Sequence, residues 1–162
     1  MKELKRIRSF SVDHNKLSRG IFVSRKDNVG NDVVTTFDVR IKLPNREPIL
    51  DIAILHTMEH LGATFLRNHE VWADRTIYFG PMGCQTGIYV LFQGDLESED
   101  VVGIITEMFE FIANFQGKVP GASPVECGHY LSMDLPMTNY EGKKFLTETL
   151  QNLKEENLNY PE

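Results

Sequence analysis

Two histidines stand four residues apart in His56-Thr57-Met58-Glu59-His60. On a helix, that spacing projects both side chains to one side, roughly 40° apart, so two imidazole nitrogens can reach one metal ion. Glu59 falls on the flank of the same face, where a carboxylate can act on a substrate or water without being a ligand. The neighbouring residues are apolar, and a patch of three polar groups in such a setting needs partners, which a metal ion supplies. His14, His69 and His129 have no comparable spacing.

Catalytic sites of this kind take three protein ligands and keep one position open. His-x-x-Glu-His occurs in inverted zinc metallopeptidases, where the Glu is a general base and a downstream Glu is the third ligand. The downstream segment here is Glu126-Cys127-Gly128, in which a Cys127 thiolate is the softer and stronger candidate. Cys84 sits in a glycine-rich turn, Gly83-Cys84-Gln85-Thr86-Gly87, accessible and close to backbone amides. A nearby metal would lower the pKa of such a thiol and make it a proton shuttle. Alternatively, Cys84 as a fourth ligand would close the site into a structural metal module without activity.

The elements that must position these groups are legible as periodicity. Residues 18–26 and 32–43 are rich in β-branched and aromatic residues, with Asn28, Gly30 and Asn31 between them, which predicts a hairpin. The second run places Val34, Thr36, Asp38 and Arg40 on one face and Val33, Phe37, Val39 and Ile41 on the other. Pro48 suits a first helical turn, and Ile49 to about His69 reads as a central, buried helix, apolar nearly all round. A short strand over 75–79, a turn at Gly80–Gly83 and a strand over Thr86–Gln93 follow. Ser98-Glu99-Asp100 caps a helix to about Phe115, and after a loop over 117–124 a polar amphipathic helix runs from Asn139 to about Asn157. This order predicts an α+β fold, a mainly antiparallel sheet with helices packed on one face, forming one catalytic domain over 1–162.

The formal charge of −6 gives no basic stripe for nucleic acid and no attraction to an anionic membrane. The start carries basic residues with no apolar stretch behind them, and no run approaches a membrane span, so the chain is expected to be cytoplasmic. In that compartment the two cysteines are free for chemistry or metal binding.

Three motifs in order, His56-Thr57-Met58-Glu59-His60-Leu61, Gly80-Pro81-Met82-Gly83-Cys84-Gln85-Thr86-Gly87-Ile88-Tyr89 and Glu126-Cys127-Gly128-His129-Tyr130, resemble the bacterial S-ribosylhomocysteine lyase (LuxS) family. Ser9–His14, Thr36–Arg40 and Leu43-Pro44-Asn45 fit it too, and the resemblance runs from about Ser9 to about Leu150. The resemblance implies a divalent metal, natively Fe(II) with Zn or Co able to replace it, held by His56, His60 and Cys127. It implies Cys84 and Glu59 as the acid–base pair and Ser9, His14 and Arg40 as substrate contacts, Arg40 suiting the amino-acid carboxylate. It further implies a homodimer with sites at the interface. The reaction would split S-ribosylhomocysteine into homocysteine and 4,5-dihydroxy-2,3-pentanedione, the precursor of the quorum-sensing signal autoinducer-2. Tyr78-Phe79-Gly80 stands where the family usually has Asp-Ile-Ser, Gln85 where it commonly has Arg, and a usual His is missing near Met133. None of these departures removes a ligand or an acid–base residue.

Overall fold

In the computed structural model, which describes residues 4–161, a 3₁₀ turn at Arg8–Phe10 leads into the hairpin β1 (Gly20–Val29) and β2 (Asp32–Arg40). With β3 (Thr76–Pro81) and β4 (Gly87–Gln93) they form one antiparallel sheet in the order β1-β2-β4-β3. The ends of the expected domain, 1–3 and 162, lie outside the described residues. Phe37, Val39, Ile88, Val90 and Phe92 point to one side of the sheet and form the core with α1 (Ile52–Asn68), α2 (Ser98–Asn114) and α3 (Leu135–Glu148). The fold class is the one the sequence predicts.

The boundaries differ where local hydrogen bonds outbid periodicity. α1 starts at Ile52, three residues later than expected, because the Asp51 side chain accepts from the Ala53 N–H at 2.8 Å and so caps the helix there. Pro48 lies before it, and Leu50 N–H is held by Gln85 O at 2.9 Å. The helix is not buried all round: Leu55, Met58, Leu61 and Leu66 face the core while Ile52 is 65 % exposed. Its His56, Glu59 and His60 stripe is half-buried.

Gly80 and Pro81, expected in a turn, extend β3 by pairing with Tyr89 and Ile88, so the turn runs from Met82 to Thr86. α2 is capped by Glu97 and Asp100 together, while Ser98 Oγ donates to Leu158 O at 2.8 Å. The last helix begins at Leu135, capped by Asp134, and stops at Glu148. The rest of the expected helix breaks into 3₁₀ turns at Leu150–Asn152 and Glu155–Asn157. There Asn side chains compete with the helical ladder; Asn157 Oδ1 accepts from Lys154 N–H at 2.8 Å.

α3 is fastened to the sheet by an ion pair, Lys42 Nζ to Glu141 Oε2 at 2.7 Å, with side chains only 6 % and 12 % exposed. Removing one member strands the other away from water. Lys42→Met is therefore expected to cost about 3 kcal/mol in urea unfolding, and adding Glu141→Leu should recover most of it. A Lys42→Met protein as stable as the parent would refute the pairing as a fastener.

Candidate active site

α1 carries His56 and His60 on the side away from the sheet, where the segment between α2 and α3 crosses them. His56 Nδ1 donates to Ser132 O at 2.8 Å and His60 Nδ1 donates to Pro120 O at 2.7 Å. A carbonyl only accepts, so each Nδ1 carries the proton, and in the neutral ring this leaves Nε2 bare. The two Nε2 atoms face each other at 3.1 Å, and Cys127 Sγ lies 3.4 Å from His56 Nε2. The crossing segment is itself tied to the helix: Thr57 Oγ1 accepts from Asp134 N–H at 2.8 Å.

Converging lone pairs repel unless a cation sits among them. The donor atoms of His56, His60 and Cys127 lie within 4.8 Å of one another and could hold a metal ion. Tetrahedral donors with bonds of about 2.1 Å to nitrogen and 2.3 Å to sulfur stand roughly 3.4 and 3.6 Å apart; the two spacings from His56 Nε2 are slightly inside those values, and all three donors lie within 4.8 Å of one another. The donor set thus fits a transition metal, and the carbonyl partners on both Nδ1 atoms fix the rings for it. Glu126 does not join the cluster; it accepts from Ser123 Oγ. Nor does Cys84, so among the described residues the group has three donors, not the four of a closed structural site.

A cleft of about 410 Å³ opens beside the cluster, lined by His56 and Glu59 from α1, by Met82, Gly83 and Gln85 from the β3–β4 turn, and by His129. The turn is set by Gly87: a Cβ there would lie 2.4 Å from Val39 O, so only glycine lets β4 close on β2. Ile41 and Lys42 N–H groups then both donate to Thr86 O, at 3.0 and 2.9 Å.

This clamp puts Cys84 beside Arg40. Arg40 Nη1 donates to Thr86 Oγ1 at 2.6 Å, which leaves the Thr86 hydroxyl proton free for Cys84 Sγ at 3.1 Å. Arg40 Nη1 also lies 3.5 Å from the sulfur. Partial burial pushes the thiol up, but the Thr86 hydroxyl and backbone bonds and the Arg40 charge outweigh it and hold the pKa below the ordinary value. Cys84 is exposed to solvent, so the site combines thiolate character with access.

Ser9, His14 and Arg40 come together as the sequence grouped them, around one recess of about 10 Å³ that holds no more than a water. The Arg40 fork is occupied, however: Nε and Nη2 grip Asp38 at 3.1 and 2.6 Å, and the residue is 2 % exposed. The residues missed by sequence reasoning are Asp38, Thr86 and His129. Asp38 and Thr86 had local signals, one sharing a strand face with Arg40 and the other lying two residues from Cys84. His129 is close in sequence to Cys127, but only the crossing segment's path brings it to the cleft.

The S-ribosylhomocysteinase (LuxS) family model matches residues 7–156. The chain belongs to the S-ribosylhomocysteinase (LuxS) family. The S-ribosylhomocysteine lyases of Phocaeicola vulgatus and Desulfotalea psychrophila are each 56 % identical to it over 98 % of its length, covering 98 % and 99 % of their own. That of Clostridium acetobutylicum is 55 % identical over 98 % of the chain and 100 % of its own length. The family assignment agrees with a three-donor cluster beside a cleft and sets aside the peptidase and structural-module readings.

Two outcomes follow from this geometry. Cobalt(II) is expected to bind the parent with a thiolate-to-metal absorption band, and Cys127→Ala should lose that band; an unchanged band would remove Cys127 from the ligand set. Because the Cys84 thiol is held down, its alkylation should persist as pH falls through the ordinary thiol range near 8.5 and fade only below it. Thr86→Val removes the hydroxyl donor and should move the alkylation midpoint upward.

Proposed function

We infer that the chain is an S-ribosylhomocysteine lyase, a carbon–sulfur lyase that releases homocysteine and 4,5-dihydroxy-2,3-pentanedione. The observation that carries this is the cleft lined by His56 of the three-donor cluster, by Glu59 and by Gly83 and Gln85, which flank Cys84, in a member of this family. His56, His60 and Cys127 would hold one divalent ion per chain, Fe(II) natively, with Zn or Co able to replace it. When bound, that ion supplies Lewis acidity toward the substrate carbonyl.

The chain's own residues carry the protons. In the ring-opened sugar the aldehyde is at C1. Cys84 thiolate takes the C2 proton and returns it to C1, giving a C2 ketone; the same exchange between C3 and C2 moves the carbonyl to C3. Glu59 moves the hydroxyl protons that each step requires. With the carbonyl at C3, the C4 proton is acidic; Glu59 removes it, the C5–S bond breaks, and homocysteine leaves with the electron pair and a proton, while the C4–C5 enol left behind gains a proton at C5 and loses its hydroxyl proton to become the C4 ketone with a C5 methyl group. No electron is gained or lost, so the ion needs no redox change.

Ser9, His14 and Arg40 would bind or support substrate. With its fork on Asp38, Arg40 is better placed to hold Cys84 than to grip a free carboxylate. A homodimer with sites at the interface is supported by the open sheet face, where exposed Ile7 and Tyr78 border a recess of about 400 Å³ with Ser9 and Tyr89. No helix among the described residues is long and apolar enough to cross a membrane, consistent with a single-domain cytoplasmic enzyme.

Incubated anaerobically with S-ribosylhomocysteine, the iron- or cobalt-loaded protein should release a titratable thiol; none would overturn the assignment. Cys84→Ala and Glu59→Gln should each keep the metal and lose at least about 100-fold in kcat. Sedimentation of the parent should give twice the chain mass.

A further inference from the structure

The chain's last described residues cross the outer face of the sheet instead of leaving it. Gly20 admits them: a Cβ there would lie 2.0 Å from Asn157 O, so the tail lies directly on the β1 backbone. Asn157 Nδ2 donates to Arg19 O at 2.8 Å, Ser98 Oγ donates to Leu158 O at 2.8 Å, and Ser18 Oγ donates to Glu156 O. The Tyr160 ring then stacks on Phe22, centroids 4.9 Å apart and planes within 10°. Its hydroxyl donates to Asp38 Oδ2 at 2.8 Å, the same oxygen that accepts from Arg40 Nη2 at 2.6 Å. Tyr160 lies beyond the residues matched by the family model, which end at 156.

We propose that Tyr160 is a positioning residue for the Cys84 thiolate, acting through Asp38 and Arg40. Asp38 is 2 % exposed, and its charge is met by the Arg40 fork and the Tyr160 hydroxyl. The phenol draws off part of the carboxylate's charge, which leaves more of the guanidinium's field for the sulfur on its other side. It also fixes the carboxylate plane, and through the two-point fork the plane and reach of Arg40 toward Thr86 and Cys84. Burial and the Asp38 carboxylate both raise the phenol's pKa, so Tyr160 stays a neutral donor across the working range. The groups that face Cys84 electrostatically are Arg40 and Thr86 at hydrogen-bond range, with Tyr89 farther off. The catalytic consequence rests on the lyase assignment; the effect on the thiol does not.

The test uses metal-loaded full-length protein, with iodoacetamide alkylation of Cys84 followed by peptide mass spectrometry across pH, and thiol release from S-ribosylhomocysteine in parallel. Tyr160→Phe keeps the stack on Phe22 and loses only the hydroxyl. It should move the alkylation midpoint upward, slow alkylation about threefold at a pH below that midpoint, and lower kcat about threefold to tenfold with KM little changed, the size of one hydrogen bond's net worth. A chain ended at Asn159 should show at least the same shift. A merely structural tail would lower the melting temperature in both variants and leave the midpoint in place, and that result, or an unchanged midpoint with unchanged stability, overturns the proposal. If the parent releases no thiol from the substrate, the lyase assignment fails, while the alkylation shift still decides the role of Tyr160.

Discussion

Two imidazole Nε2 atoms that face each other at 3.1 Å constrain everything around α1. The fold keeps them there by committing both Nδ1 protons to backbone carbonyls, Ser132 O and Pro120 O, on a segment that arrives from more than fifty residues away. That segment must stop within a few tenths of an ångström of one path, and Thr57 fixes it by accepting from Asp134 N–H. α1 is thus a two-sided beam, apolar toward the core and histidine-bearing toward the crossing segment. Its register is set by the Asp51 cap.

The sheet has a comparable division. One face supplies the core; the other carries Asp38 and Arg40, charged residues that are nonetheless almost wholly buried. Burying an ion pair gains little stability in itself, because desolvation cancels most of the attraction. What the pair supplies here is direction: the guanidinium is aimed along β2 toward Thr86 and Cys84 at the mouth of the β3–β4 turn. Gly87, by letting β4 approach Val39 O, sets the distance over which that aim works.

Much of this was legible as spacing. The four-residue interval of His56 and His60, the alternation of β2 and the turn chemistry around Cys84 each depend on a single element. The spacing therefore pointed to His56 and His60, two of the three donors that converge in the fold, and to the fold class. The failures share a cause. Helix boundaries at 52 and 148 were decided by side-chain caps and competing Asn bonds, which periodicity does not report. The occupation of the Arg40 fork by Asp38 could be read as a possibility from their shared face, but not as a fact, since nothing in the strand says what covers it. His129 and Tyr160 reach the site only through the paths of irregular segments, 119–134 and 149–161, for which no repeat exists to read.

The tail has a consequence for how the molecule is made. Synthesis proceeds from the N-terminus at roughly 5–20 residues per second, and domains fold as their residues emerge. Asp38, Arg40, Thr86 and Cys84 are all present long before Tyr160, which closes on Asp38 across an interval of 122 residues. A nascent chain can assemble the sheet and the helix that carries His56 and His60 while its outer face is still uncovered. The order of translation therefore places the Tyr160 contact on Asp38 after the strands that carry Asp38 and Arg40 have been made.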